Sequence, residues 1–277
     1  MARLRTGSDR IRSVVPTLPV SVDSLNMTVT VIQPGIKSLS GKPSQIGSAT
    51  GFFFEHKNTF YLITNRHVVI DEDDHFYPDH LTLRVHTSNK VLTQNRNVQV
   101  PLYDRKGGRR WLEHPTLGSE VDVVAIKIRD FVSSKDVLSP WDETSFFPSA
   151  YVIGVGETVV VLGYPLGFYD IINNLPIARS GTVATPFGVP FEDRPFFLVD
   201  SRLDKGTSGS PVITAASPYR VTVQSTFVAG NFPARLLGIN SGEYSKKQIP
   251  LGLNAVWYAY LVTDIVSGSE RDRPAMG

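Results

Sequence analysis

The chain contains no cysteine, so no disulfide staples it and its stability must come from its own packed core. It also lacks an unbroken apolar stretch of about twenty residues, the length a membrane span needs. Residues 1–12 are basic, but the apolar segment after them, 13–22, is short and interrupted by Pro16 and Pro19. That interruption argues against a secretory signal there. A soluble, cytoplasmic protein with no membrane partner is the expectation, although a secreted chain trimmed of its signal would read the same way. Charge of one sign is lacking too: Lys+Arg 28 against Asp+Glu 26 leave a formal net charge of +2. No nucleic-acid partner is expected, and the arginines of the first twelve residues read as a solvated tail. There is no internal repeat and no low-complexity segment.

Signals for metals and nucleotides are missing as well. The acidic run Asp71-Glu72-Asp73-Asp74-His75, with Asp79 and His80 nearby, lacks the ligand spacing and turn glycine of a calcium loop. It reads as a solvated loop. Gly163-Tyr164-Pro165-Leu166-Gly167 lacks the lysine and the glycine spacing of a phosphate loop. It reads as a turn beside a cleft. No cofactor and no metal is expected.

What is present is β-structure. With 277 residues, 41% of them hydrophobic and 19% charged, the chain can bury a substantial core. Short runs of β-branched and aromatic residues separated by turn residues predict strands over residues 27–32, 51–55, 60–64, 81–86, 98–102, 123–128, 158–163, 181–184, 196–200, 211–214, 235–240 and 256–262. Little helix is expected. Residues 129–150 lose the alternation and carry Ser133-Ser134, Pro140 and Pro148, the composition of a linker. Residues 215–234 read as a hairpin excursion.

The chemistry is carried by Gly206-Thr207-Ser208-Gly209-Ser210-Pro211 and, far upstream, Leu62-Ile63-Thr64-Asn65-Arg66-His67-Val68-Val69. A hydroxyl is a poor nucleophile near neutral pH, so hydrolysis by serine needs an imidazole to take its proton and backbone donors for the oxyanion. Small residues around Ser208 let the backbone turn sharply, and the N–H groups of Gly206 and Ser208 are the expected oxyanion hole. Asp122, opening the apolar run 122–128, is the candidate orienter of His67. Asp130 is a poorer choice, because it follows that strand and would sit at its wrong end. A lone histidine after an apolar strand is ordinarily structural; a serine and an aspartate in matching contexts make this one a base.

The order His67, Asp122, Ser208 is that of the chymotrypsin-like clan. The segments LITNRHVV, DVVAIKI, VLGYPLG, RSGTVAT and FLVDSRLDKGTSGSPV resemble, in order and approximate spacing, those of trypsin-like proteases of the bacterial high-temperature-requirement type. Ser208-Gly209-Ser210-Pro211-Val212 also resembles the glutamyl endopeptidases. The resemblance implies an all-β fold of two six-stranded antiparallel barrels with the active site in the cleft between them. The domains expected from it are an N-terminal extension (1–22), a first barrel (23–128), a linker (129–150), a second barrel (151–265) and a C-terminal tail (266–277). Little sequence follows the last apolar run, so the carboxy-terminal peptide-binding domain usual in that family is not expected here.

By the same resemblance, Arg202 lies near the base of the primary specificity pocket, and Gly238, Ile239, Asn240 and Ser241 lie near its edge strand. A guanidinium there would favour an acidic side chain at the cleaved position. Arginine can also point to solvent, which leaves a small or apolar preference open. Animal trypsins carry an aspartate before the serine, which pairs with a freed amino terminus and orders the oxyanion loop; Thr207 cannot make that pair. The loop must be ordered by its own packing, by substrate or by a partner. The expected function is that of a serine endopeptidase acting on protein or peptide substrates through an acyl-enzyme. The alternatives are a non-catalytic module that holds a peptide or partner in its cleft, and a protease that needs an activating protein partner.

Overall fold

The run Gly51-Phe52-Phe53-Phe54 is apolar throughout because its strand separates two hydrophobic layers. Successive side chains of a strand point to opposite faces. In β3 (Ala49–His56) Phe53 enters one core with Leu62, Leu81 and Leu83, whereas Phe52 and Phe54 enter another with Leu162, Phe196 and Trp257. The computed structural model describes residues 23–37, 43–246 and 249–268. The expected N-terminal extension 1–22 and all but the start of the expected C-terminal tail lie outside them.

The first half consists of β1 (Val29–Lys37), β2 (Pro43–Gln45), β3, β4 (Thr59–Thr64), β5 (His80–His86), β6 (Asn95–Pro101), β7 (Trp111–Leu112) and β8 (Val124–Lys127). They form one eight-stranded antiparallel sheet in the order β6-β5-β1-β3-β4-β8-β7, with β2 added to β1. A six-stranded barrel is expected from the resemblance; the observed sheet has two more strands, and its ends meet through less than a full ladder. They are joined by an isolated bridge between Tyr103 and Arg109 and a bond from Arg110 N–H to Leu102 O (2.9 Å). β2 and β7 are too short to leave a period-two pattern in the sequence.

In the second half, β9 (Thr158–Gly163), β10 (Ile177–Val183), β11 (Phe196–Asp200), β12 (Pro211–Thr214), β15 (Leu236–Lys246) and β16 (Ile249–Tyr258) close a six-stranded barrel in the order β10-β11-β16-β15-β12-β9. The hairpin β13 (Ser217–Val221) and β14 (Phe227–Phe232) stands off it. The strand expected over 256–262 is corrected: β16 ends at Tyr258, and Tyr260–Gly268 is a helix. Its buried Leu261, Val262, Ile265 and Val266 share one helical face. Residues 266–268, assigned above to the tail, are therefore its last turn.

One core fills the sheet, one fills the barrel, and the largest lies between the two halves. That shared core places the end of β4 and the start of β8 against the loop that precedes β12.

Candidate active site

His67 lies on a single helical turn, α1 (Arg66–Val69), directly after β4. Asn65, which precedes the turn, is fully buried, and its side-chain Nδ2 donates to the backbone carbonyl of Asp122 (2.6 Å). This bond ties the turn to the residue just before β8. The Asp122 carboxylate then accepts from the His67 backbone N–H at Oδ1 (3.0 Å) and from His67 Nδ1 at Oδ2 (2.8 Å). A carboxylate can only accept, so the Nδ1 proton stays on that side and neutral His67 keeps its lone pair on Nε2. Asp130, by contrast, is exposed beyond the far end of β8.

Ser241 completes the group. Residues 240 and 242 flank a register shift in the β15–β16 ladder, and a bulge of this kind re-aims the side chain it releases. Ser241 Oγ donates to Asp122 Oδ2 (2.5 Å), and Ser241 O accepts the Ser208 hydroxyl (3.1 Å). The Ser208 hydroxyl therefore points at Ser241, with no bond to His67 Nε2. His67, Gly206 and Ser208 nevertheless line one cavity of about 270 Å³, walled also by Pro34, Val68, Phe76 and Lys205. Burial opposes a charge on His67, but the hydrogen bond and charge of Asp122, with the charge of Asp71, outweigh it. They hold the imidazole above the ordinary histidine pKa of 6.5.

The loop carrying Ser208 needs its glycines. Gly206 has φ 94° and Gly209 φ 83°, conformations that side-chain-bearing residues rarely adopt. A Cβ on Gly206 would fall 2.5 Å from Tyr164 O, and one on Gly209 would fall 2.1 Å from Thr50 O. The backbone N–H groups of Gly206 and Ser208 donate to no acceptor among the described residues. They are two free donors beside one hydroxyl.

The family model for the trypsin-like peptidase domain matches residues 49–217 of this sequence. The chain belongs to the trypsin-like peptidase family. Among solved structures it resembles that of an HtrA-type protease, a variant of AlgW with a tripeptide, at a TM-score of 0.50 and 14% sequence identity. The match covers 89% of this chain and 63% of that one, a likeness that speaks for the fold. No curated protein matches the sequence.

The remaining residues singled out in this trypsin-like sequence are dispersed. Arg202 is exposed and is not among the residues that line the cavity with His67 and Ser208. Gly238 packs so tightly under Trp257 that a Cβ would lie 2.1 Å from its carbonyl oxygen, and Ile239 is in the shared core. Asn240 is fully buried and turns to the nucleophile loop, where its Nδ2 donates to Thr207 O (3.0 Å). Of the four edge-strand residues, Ser241 alone touches the His67–Asp122 pair. In the acidic run, Glu72 pairs with Arg66 (2.7 Å), whose hydrogen bond lowers its carboxyl pKa to about 2. Arg66 also bonds Glu113 (2.9 Å), so the helical turn that carries His67 is braced from outside. Thr50 and Asn65 carry no catalytic signature in the sequence: Thr50 is a polar residue ahead of an apolar strand run, and Asn65 is the N-cap of the turn that follows another.

Proposed function

We propose that this trypsin-like peptidase is a serine endopeptidase with Ser208 as nucleophile, His67 as base and Asp122 as orienter. The observation that carries the reading is the set of hydrogen bonds that joins Ser208 to the backbone of Ser241, the Ser241 side chain to Asp122, and Asp122 to His67, at a cavity lined by Gly206 and Ser208, whose amides donate to no acceptor among the described residues. Rotation of the Ser208 side chain from Ser241 O toward His67 Nε2, a fast motion for a partly exposed hydroxyl, sets up attack. Ser208 Oγ then adds to the peptide carbonyl carbon while its proton passes to His67 Nε2, and the carbonyl oxygen takes its negative charge to the amides of Gly206 and Ser208. Collapse breaks the C–N bond, the leaving amine takes the proton from His67, and an acyl-enzyme remains. Water, deprotonated in turn by His67, releases the acid.

The test is the pH dependence of kcat/KM on a peptide substrate. His67 must be neutral to act, and its pKa lies above 6.5. Activity should therefore be low in acid and rise with pH to a plateau reached above that value. A flat profile between about pH 5 and 9 would remove His67 as the base.

The Ser208–Ser241 bond favours a second reading, in which this arrangement is a resting state and a protein partner or the substrate itself turns the hydroxyl to His67. Fluorophosphonate labelling that is slow for the free chain and accelerates with added peptide or protein would support it. Equal rates would count against it.

A further inference from the structure

We propose that Thr50 is a positioning residue for the oxyanion-binding amides, holding the nucleophile loop from the opposite half of the molecule. This rests on the reading of Ser208 as nucleophile. Thr50 lies in β3 and is fully buried. Its Oγ1 donates to Gly206 O (2.8 Å) and accepts from Tyr164 N–H (3.0 Å), which uses a hydroxyl in both directions. Its backbone N–H donates to Ser208 O (2.9 Å).

Those bonds belong to a set. Four successive carbonyls of the loop each accept: Lys205 O from Leu166 N–H (2.5 Å), Gly206 O from Thr50 Oγ1, Thr207 O from Asn240 Nδ2 and Ser210 N–H, and Ser208 O from Thr50 N–H. In a trans peptide the N–H points opposite to the C=O of the same plane. The bond at Lys205 O thus aims the Gly206 N–H, and the bonds at Thr207 O aim the Ser208 N–H. Between them lies Gly206, whose backbone has the widest conformational freedom of any residue. Pinning Lys205 O alone leaves the plane after Gly206 able to rotate; Asp204 O holds that plane from within the loop at Thr207 N–H (3.2 Å), and the Thr50 hydroxyl holds it at Gly206 O, tying the plane that joins the two oxyanion planes to the opposite sheet. Thr207 meanwhile spends its own hydroxyl on Asp204 O (2.8 Å), within the loop itself. Order that an amino-terminal ion pair could have supplied comes here from bonds within the second half together with a hydroxyl on the far sheet.

The test compares full-length wild type with Thr50→Val, which keeps the shape and loses the hydroxyl, and Thr50→Ser, which keeps the hydroxyl. Thermal melts establish that each variant folds. Thr50→Val is expected to lower kcat and the fluorophosphonate labelling rate by about ten- to a hundredfold, with KM changed less than about threefold. Thr50→Ser should recover most of that loss. Amide exchange at Thr207 and Ser210, which donate within the loop to Asp204 O and Thr207 O, should accelerate in Thr50→Val and stay near wild type in Thr50→Ser. Equal activity in Thr50→Val and wild type, or equal impairment of both variants, would overturn the proposal. If wild type neither cleaves nor labels, with or without added peptide or protein, the reading of Ser208 fails separately. The exchange rates then still decide the clamp: faster loop exchange in Thr50→Val than in Thr50→Ser supports it, and equal rates overturn it.

Discussion

Asp122→Asn is expected to slow peptide turnover by about four orders of magnitude. The Asp122 carboxylate accepts three hydrogen bonds, from His67 N–H, His67 Nδ1 and Ser241 Oγ. An asparagine offers one accepting oxygen and one donating nitrogen. With its amide nitrogen toward the ring, His67 must present a lone pair at Nδ1 and carry its proton on Nε2, where it cannot take one from Ser208. With the amide reversed, the nitrogen confronts the His67 backbone N–H, donor against donor, and a neutral oxygen replaces the charge that stabilises the imidazolium. The first orientation removes the base and the second weakens it at the cost of a clash, while the remaining packing of residues 121–128 keeps the fold. The check is kcat on one peptide at equal protein concentration, with a thermal melt beside it. A loss of less than about tenfold would mean that Asp122 does not orient the base.

Ser208→Ala should abolish hydrolysis, with kcat falling by about six orders of magnitude, because the other hydroxyl on the cavity wall, that of Ser48, has no hydrogen-bond partner and so no base to activate it. The fold should hardly notice. The hydroxyl is only partly buried and makes one neutral bond, to Ser241 O, worth about 1 kcal/mol net. Peptide hydrolysis and melting temperature together check this. Residual activity near wild type would dismiss Ser208, and collapse of the fold would show that the loop depends on its side chain.

The catalytic candidates were legible in the sequence because each sits in a local context with its own signature: His67 after an apolar strand, Asp122 before one, Ser208 among residues small enough for a tight loop. What holds them was not. Thr50 meets Gly206 across 156 residues of chain, and nothing near Thr50 announces that distant partner. The family resemblance implies a pocket edge for both Asn240 and Ser241; the ladder irregularity between Asn240 and Gly242 sends Asn240 to the loop and Ser241 to Asp122, and a bulge is a property of strand pairing that single-strand patterns do not carry. Arg202 shows the same limit. Its place in the chain relative to Ser208 is fixed, but the direction of its side chain is not, and it reaches solvent. At the fold level the barrel strands were readable, whereas the apolar run 256–262 was ambiguous between strand and helix, as short apolar runs are. It proved to be the end of one and the start of the other.

The most direct measurement of the nucleophile is the site of fluorophosphonate attachment, read by tandem mass spectrometry of the labelled full-length chain. A single adduct on Ser208 is expected, formed faster as pH rises through the His67 pKa and absent from Ser208→Ala. An adduct on any other residue, or undiminished labelling of Ser208→Ala, would contradict the assignment.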